Sequence, residues 1–253
     1  MRWIAVTVFA LIAVACATSP TGRSQLSLVS DAQIAQMGTT AFAALQQKTP
    51  AKGSDAKVSR YVRCVADAIT RTVASGQRWE VRVFANKEVN AFALPGGKIG
   101  VYTGLLKVTE NRDQLAAVIG HEVAHVIAGH SAARVSNDLA ANLGASVLGS
   151  TIGIDPQLIG VGANLLLLLP YSRGDESEAD VLGLQYMAQA GFDPREAPKL
   201  WVNMSRQGGA APPEILSSHP SNDTRIRDLE SRVPQALPLY KQARARGLEP
   251  KCG

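Results

Sequence analysis

The apolar positions of this chain follow two rhythms, a helical one of about 3.6 residues and a strand one of about two. From Asp31, "DAQIAQMGTTAFAALQQ" reads as an amphipathic helix with Asp31 as its N-cap. Ser54–Ala74 repeats the helical rhythm, with Val58, Val62, Val65 and Ile69 as its apolar positions. "WEVRVFAN" then alternates apolar and polar residues, as a half-buried strand does. "VNAFALPGGKIGVYTGLL" predicts two more strands around a Pro95-Gly96-Gly97 turn. The next segment, "TENRDQLAAVIGHEVAHVIAGH", is a helix whose start places Asn111 and Gln114 three apart, a weak capping-box signal.

The run Leu139–Leu169 is almost uncharged, but Asp155-Pro156 divides it into pieces too short for a membrane crossing. Its Gly and Ala residues suit close packing, so buried core helices or a covering flap are expected there. Polar helices follow, interrupted by the loop "RQGGAAPPE", and no internal repeat is visible. The pattern as a whole predicts a mostly helical α+β fold with a small sheet or hairpin beside the helix that carries His121. A leader over 1–15, a polar tether over 16–30, a single domain over 31–235 and a tail over 236–253 complete the expected organisation.

Composition narrows this picture without changing it. A length of 253 residues, 46% apolar and 19% charged, supports one good-sized core or at most two small domains. The net charge of +5 is thinly spread, and its densest run, Lys241–Lys251, has no interleaved aromatics. It reads as a solvated tail, and nucleic-acid binding is not expected. "MRWIAVTVFALIAVAC" has one Arg, an apolar run of signal-peptide length and small residues ahead of Cys16. Its "AVAC" ending resembles a bacterial lipobox, which makes Cys16 the candidate lipidation site and the membrane a partner through that lipid. Ala17 rather than Asp follows, which by resemblance to enterobacterial sorting points to the outer membrane. Export places the chain where disulfides persist, and the remaining pair, Cys64 and Cys252, invites pairing that spacing alone does not fix.

The candidate chemistry is concentrated in "VIGHEVAHVIAGHSA", which holds three of the four histidines in the chain. Residues four apart on a helix share a face, so His121 and His125 can offer two imidazole nitrogens to one metal. Glu122 beside them completes His-Glu-x-x-His, the zinc metalloprotease signature, with the glutamate as general base and acid. Two core histidines beside a buried glutamate would instead leave polar groups without partners. His130 is out of register for a third ligand and is expected to cap the helix or to bond a group behind the ligands. The third ligand must come from elsewhere, and "YSRGDESEADVLG" offers Glu176 and Asp180, again four apart. Glu176 can complete the site while Asp180 accepts the free ring proton of a ligand histidine. Glu178 is two positions on and points away from Glu176, and an acidic first turn also arises from helix-dipole compensation alone.

Taken together, "HEVAHVIAGH", "SRGDESEADVLG" and "SSHPSNDTRI" resemble the HtpX-like and CAAX prenyl protease family of gluzincin zinc metallopeptidases. Within it the likeness is to the periplasmic BepA- and LoiP-like lipoproteins, which "CATSPTGRSQLSLVS" and the strand segment also match. The resemblance implies one zinc per chain held by His121, His125 and Glu176 rather than Glu178, with Asp180 behind the ligands. It also implies that His219 can reach the metal and take the place of water, or swing away and hydrogen-bond the oxyanion. Arg225 is a second candidate for charge stabilisation, or a structural ion pair. The segment Asn90, Ala91, Phe92 and Ala93 can pair with an extended substrate if it lies at a sheet edge. The helical repeats that follow the peptidase in the BepA-like branch have no counterpart after "SRVPQALPLYKQARARG", so docking through them is not expected.

The function expected is a zinc endopeptidase of the cell envelope acting on unfolded or misassembled periplasmic and outer-membrane proteins. The rival is a chaperone or assembly factor with a latent or structural zinc site. A peptide deformylase, which takes its third ligand from an upstream cysteine motif, is not matched by "YVRCVADAI" around Cys64.

Overall fold

The computed structural model describes residues 16–49, 55–73, 76–143, 166, 170–206, 215, 219 and 223–252. A hairpin of β1 (Cys16–Thr18) and β2 (Ser24–Leu26) comes first, where a polar tether was expected. Helix α1 spans Asp31–Lys48 and is capped by Ser30, not Asp31. Ser30 and Gln33 form a reciprocal capping box, which leaves Asp31 in the first turn against the positive end of the helix. Helix α2, Ala56–Thr70, is shorter than its periodic segment; the Asp55 side chain captures the Lys57 amide and sets its start.

Strands β3 (Glu80–Phe84), β4 (Ala91–Leu94) and β5 (Lys98–Tyr102) form a sheet in the order β3-β5-β4. β4 and β5 are antiparallel about the expected turn, and β3 joins β5 in parallel with Glu80 opposite Lys98. Alternation sorts the side chains onto two faces. Val83, Ala91, Ala93, Ile99 and Val101 join the main core with α2 and the His121 helix. Phe84, Phe92, Leu94 and Tyr102 face the other way and meet Phe42 of α1 in an aromatic cluster, with Phe42 and Phe84 edge-on at 5.8 Å.

Helix α3 (Arg112–Ile127) is the central rod, buried at every position from Gln114 to His125. A helix apolar all round belongs inside a core, which accounts for the weak periodicity of this segment. Asn111 caps it through the Gln114 amide, while the Gln114 side chain accepts from the Glu110 amide, so the capping box is half made. α4 (His130–Leu143), α5 (Arg173–Gln189), α6 (Glu196–Arg206) and α7 (Asp223–Ala245) follow. α7 passes through Pro234 and Pro238, four apart and both exposed, so water can meet the carbonyls they leave free. Residues 236–245, assigned to the tail from sequence, continue this helix.

The Cys64–Cys252 disulfide is formed and ties the buried end of the chain to α2 across 188 residues. No helix among the described residues is long and apolar enough to cross a membrane. The leader over 1–15 and most of Leu139–Leu169, with the core helices or flap expected there, lie outside the described residues.

Candidate metal centre

Two helices build the site, and glycine lets them approach. A Cβ on Gly183 of α5 would stand 2.9 Å from the His121 amide nitrogen, and one on Gly120 would stand 3.0 Å from the Gly183 carbonyl oxygen. The α5 backbone therefore lies directly against the first histidine of α3. Ser172 starts α5 with a capping box to Asp175, and successive turns present Glu176 and Asp180 to α3.

His121, His125, Glu176 and His219 converge, each offering one ligand atom, all within 4.8 Å of one another. His125 Nε2 is 3.1 Å from His121 Nε2, and His219 Nδ1 is 3.2 Å from His121 Nε2. Glu176 Oε1 lies 2.7 Å from His219 Nδ1 and 3.4 Å from His125 Nε2. Donors about 2.0–2.1 Å from one zinc ion in a tetrahedron stand about 3.3–3.4 Å apart, and these edges lie at that length or a few tenths of an ångström below it, the Glu176–His219 edge falling shortest. His121 Nε2 faces two other imidazole nitrogens at once, and its one proton or lone pair cannot satisfy both. Glu176 Oε2 and Glu122 Oε1 are buried without a hydrogen bond, although Arg225 Nη1 stands 2.7 Å from the former. A buried group of imidazole and carboxylate donors converging on one point, with more ring nitrogens than hydrogen bonds can pair, fits a cation.

Behind the donors the two α3 histidines are held differently. His121 Nδ1 is 3.0 Å from Asp180 Oδ1, and Arg225 clamps Asp180 through Nε and Nη2, each at 2.8 Å. Arg225 also stacks 3.7 Å over the Trp201 ring. This is the ion-pair geometry, the second of the two readings of Arg225. His125 Nδ1 instead meets His130 Nδ1 at 2.9 Å, and the ring stacks on Tyr171 with centroids 3.8 Å apart.

His130 reaches this position because α3 ends at Ile127 and Gly129, at φ +71°, turns the chain before α4 begins. On a continuous helix it would have pointed elsewhere. Of its two expected roles, the structure has it behind the donors, where it bonds the donor His125 on one side and Glu178 on the other.

The charges differ accordingly. Burial, the largest influence, pulls the His121 ring down, but hydrogen bonds with Asp180 and Glu176 outweigh it and raise the ring to about 9. His125 is held well below its ordinary value by burial, which its bond to Glu176 does not offset. Burial pushes the Glu176 and Asp180 carboxyls up, yet both end below the usual range. The histidines do this for Glu176, and Arg225 with His121 for Asp180.

Glu122 is buried beside the cluster, its Oε1 3.4 Å from His219 Nε2. His219 thus stands between the donors on one ring nitrogen and Glu122 on the other. Asn90 precedes β4, while Ala91, Phe92 and Ala93 lie on it at the sheet edge, and Val89 accepts a hydrogen bond from the Ile215 amide. Cys16 is exposed at the start of β1 and is not one of the cluster's residues. Sequence reasoning missed Trp201 and Tyr171, which lie in other segments and reach the site only by packing. The position of Tyr171 just before the Ser172 cap was the one local signal.

Two helical histidines four apart, a glutamate from a second helix and a further glutamate beside the first histidine define a site of the metallopeptidase class. The sequence agrees: the chain belongs to Peptidase family M48, whose pattern matches residues 53–233. It is 40% identical over 164 residues to the mitochondrial metalloendopeptidase OMA1 of Schizosaccharomyces pombe, covering 64% of this chain and 49% of that protein. The metalloendopeptidase OMA1 of Danio rerio is 34% identical over 241 residues, 87% of this chain and 50% of its own length. The beta-barrel assembly-enhancing protease of Yersinia pestis is 32% identical over 168 residues, 60% of this chain and 34% of its own. The chain thus spans half or less of the length of these curated relatives.

Proposed function

We propose that this chain is a zinc-dependent endopeptidase of the bacterial cell envelope that cleaves unfolded or misassembled proteins. The observation that carries the reading is the convergence of His121, His125 and Glu176 on one buried point with Glu122 alongside. These three side chains would hold the zinc, which when bound supplies Lewis acidity to the substrate carbonyl and to water. Asp180 keeps the His121 proton on Nδ1 and so leaves Nε2 free to ligate. Glu122 takes the proton of the attacking water on its carboxylate and returns it to the leaving amine. β4, at the sheet edge, supports pairing of an extended substrate with Asn90–Ala93 through backbone hydrogen bonds.

His219 gives this arrangement its latent character. With Nδ1 among the ligand donors and Nε2 facing Glu122, it fills the space that water and substrate need. It must swing out before catalysis, and once out it is placed to hydrogen-bond the developing oxyanion. The same contact favours a second reading, a chaperone or assembly factor with a silent site. The envelope location rests on the "AVAC" run that ends in Cys16, with lipid attachment at the outer membrane, and on the name of the assembly-enhancing relative. That name is also the support for the BepA- and LoiP-like branch.

The test is cleavage of unfolded casein by the zinc-loaded chain, its Glu122→Gln variant and its His219→Ala variant. Cleavage by the parent or by His219→Ala, lost in Glu122→Gln, is the expected result. No cleavage by any of the three contradicts the peptidase reading and favours the chaperone.

A further inference from the structure

His130 and Glu178 are both buried, at 0% and 4% exposure, and neither belongs to the ligand set. They form a chain of contacts that ends on a metal-site histidine. His130 Nδ1 is 2.9 Å from His125 Nδ1, and His130 Nε2 is 3.2 Å from Glu178 Oε2. A carboxylate only accepts, so the His130 proton sits on Nε2 and its Nδ1 is an acceptor. His125 must then donate from Nδ1, which leaves its Nε2 lone pair facing the other donors.

The outer end of this chain is the N-terminal hairpin. Thr21 Oγ1 donates to Glu178 Oε1 at 2.6 Å, with the Thr21 amide at 3.3 Å from the same oxygen. Arg23 Nη1 donates to Glu178 Oε2 at 2.8 Å, and its Nη2 reaches Asp175 at 3.0 Å. Gln25 Nε2 donates to the Ala128 carbonyl at 2.6 Å, so the hairpin also grips the end of α3 one residue before the Gly129 turn.

We propose that His130 is a positioning residue that fixes the tautomer and ring plane of His125, and that Thr21 and Arg23 of the β1–β2 hairpin hold it there through Glu178. A surface hairpin next to Cys16 thereby sets part of the metal affinity of a site more than a hundred residues away in sequence. Without the Thr21 hydroxyl and the Arg23 guanidinium, Glu178 keeps His130, Ser19 and the Thr21 amide but loses its two shortest contacts to the hairpin. With them in place, any movement of the hairpin reaches His125 through three hydrogen bonds in series, to Glu178, to His130 and to His125. The inference rests on the zinc reading above.

The test is equilibrium zinc binding by the full chain against a competing chromophoric chelator, together with the visible absorption spectrum of the cobalt-substituted protein. Loss of such an outer partner typically weakens metal binding by roughly 10–100-fold, and that loss is expected for His130→Leu. His130→Gln is expected to recover most of it, since one amide end can accept from His125 and the other can donate to Glu178. Thr21→Val combined with Arg23→Ala is expected to weaken zinc several-fold and to shift the cobalt bands, with the fold intact by circular dichroism. Equal weakening by His130→Leu and His130→Gln would reduce His130 to a space-filler and overturn the proposal. Parent-like zinc binding by the hairpin variant overturns the coupling to β1–β2, whether or not His130→Leu folds. A parent chain that binds no zinc overturns the metal reading itself and the relay with it, which separates the two failures.

Discussion

The two histidines of α3 differ in what stands behind them. His121 is backed by a carboxylate, Asp180, locked by a bidentate arginine that lies on Trp201. His125 is backed by a second imidazole and stacked on Tyr171, with its nearest supporting carboxylate one residue further out. One ring is therefore raised to about 9 and the other held low, although they lie one turn apart on one helix. The sequence motif makes them look equivalent. Their surroundings make one the electrostatically anchored partner and the other a neutral ring held by stacking and a hydrogen-bond chain.

The largest break of this comparison is on the His121 side. Asp180→Ala strips Arg225 of its bidentate partner inside the core and frees His121 Nδ1. Breaking a buried pair from one side costs about 3–5 kcal/mol, and urea unfolding should read that loss. A variant within ~1 kcal/mol of the parent would contradict the anchoring assigned to Asp180. Gly183→Ala should cost less, roughly 1–3 kcal/mol, because its Cβ presses on the His121 backbone and α5 must retreat. Zinc binding should weaken with it, and a stable variant with unchanged affinity would show that the close approach does not set the site. Tyr171→Leu is the smallest change, removing the stack on His125 for about 0.5–1.5 kcal/mol while leaving the Asp180 side intact. Thermal unfolding of this variant beside Asp180→Ala should rank the two supports in that order.

Much of this asymmetry was beyond local reading. His121, Glu122 and His125 were legible because a helix converts spacing into a shared face, and Glu176 with Asp180 for the same reason. Which carboxylate meets the histidines depends on α5 crossing α3 at Gly120 and Gly183, a tertiary event that needed the family resemblance to anticipate. For His130 a place behind the ligands was one of two expected roles, but its partners were illegible because a continuous helix was extended through Gly129, whose positive φ bends the chain back. The hairpin over Cys16–Leu26 was read as a tether, since its strands are three residues each and its partners lie in α5 and at the end of α3. The parallel pairing of β3 with β5 likewise carries no local mark.

The central claim, that one ion is held by His121, His125 and Glu176, is tested most directly by zinc binding to Glu176→Gln beside Glu178→Gln. The account predicts one zinc per parent chain and a loss in Glu176→Gln beyond the roughly 10–100-fold expected for an outer partner. Glu178→Gln should retain the ion with the smaller loss. Parent-like binding by Glu176→Gln, or a larger loss in Glu178→Gln, would contradict it.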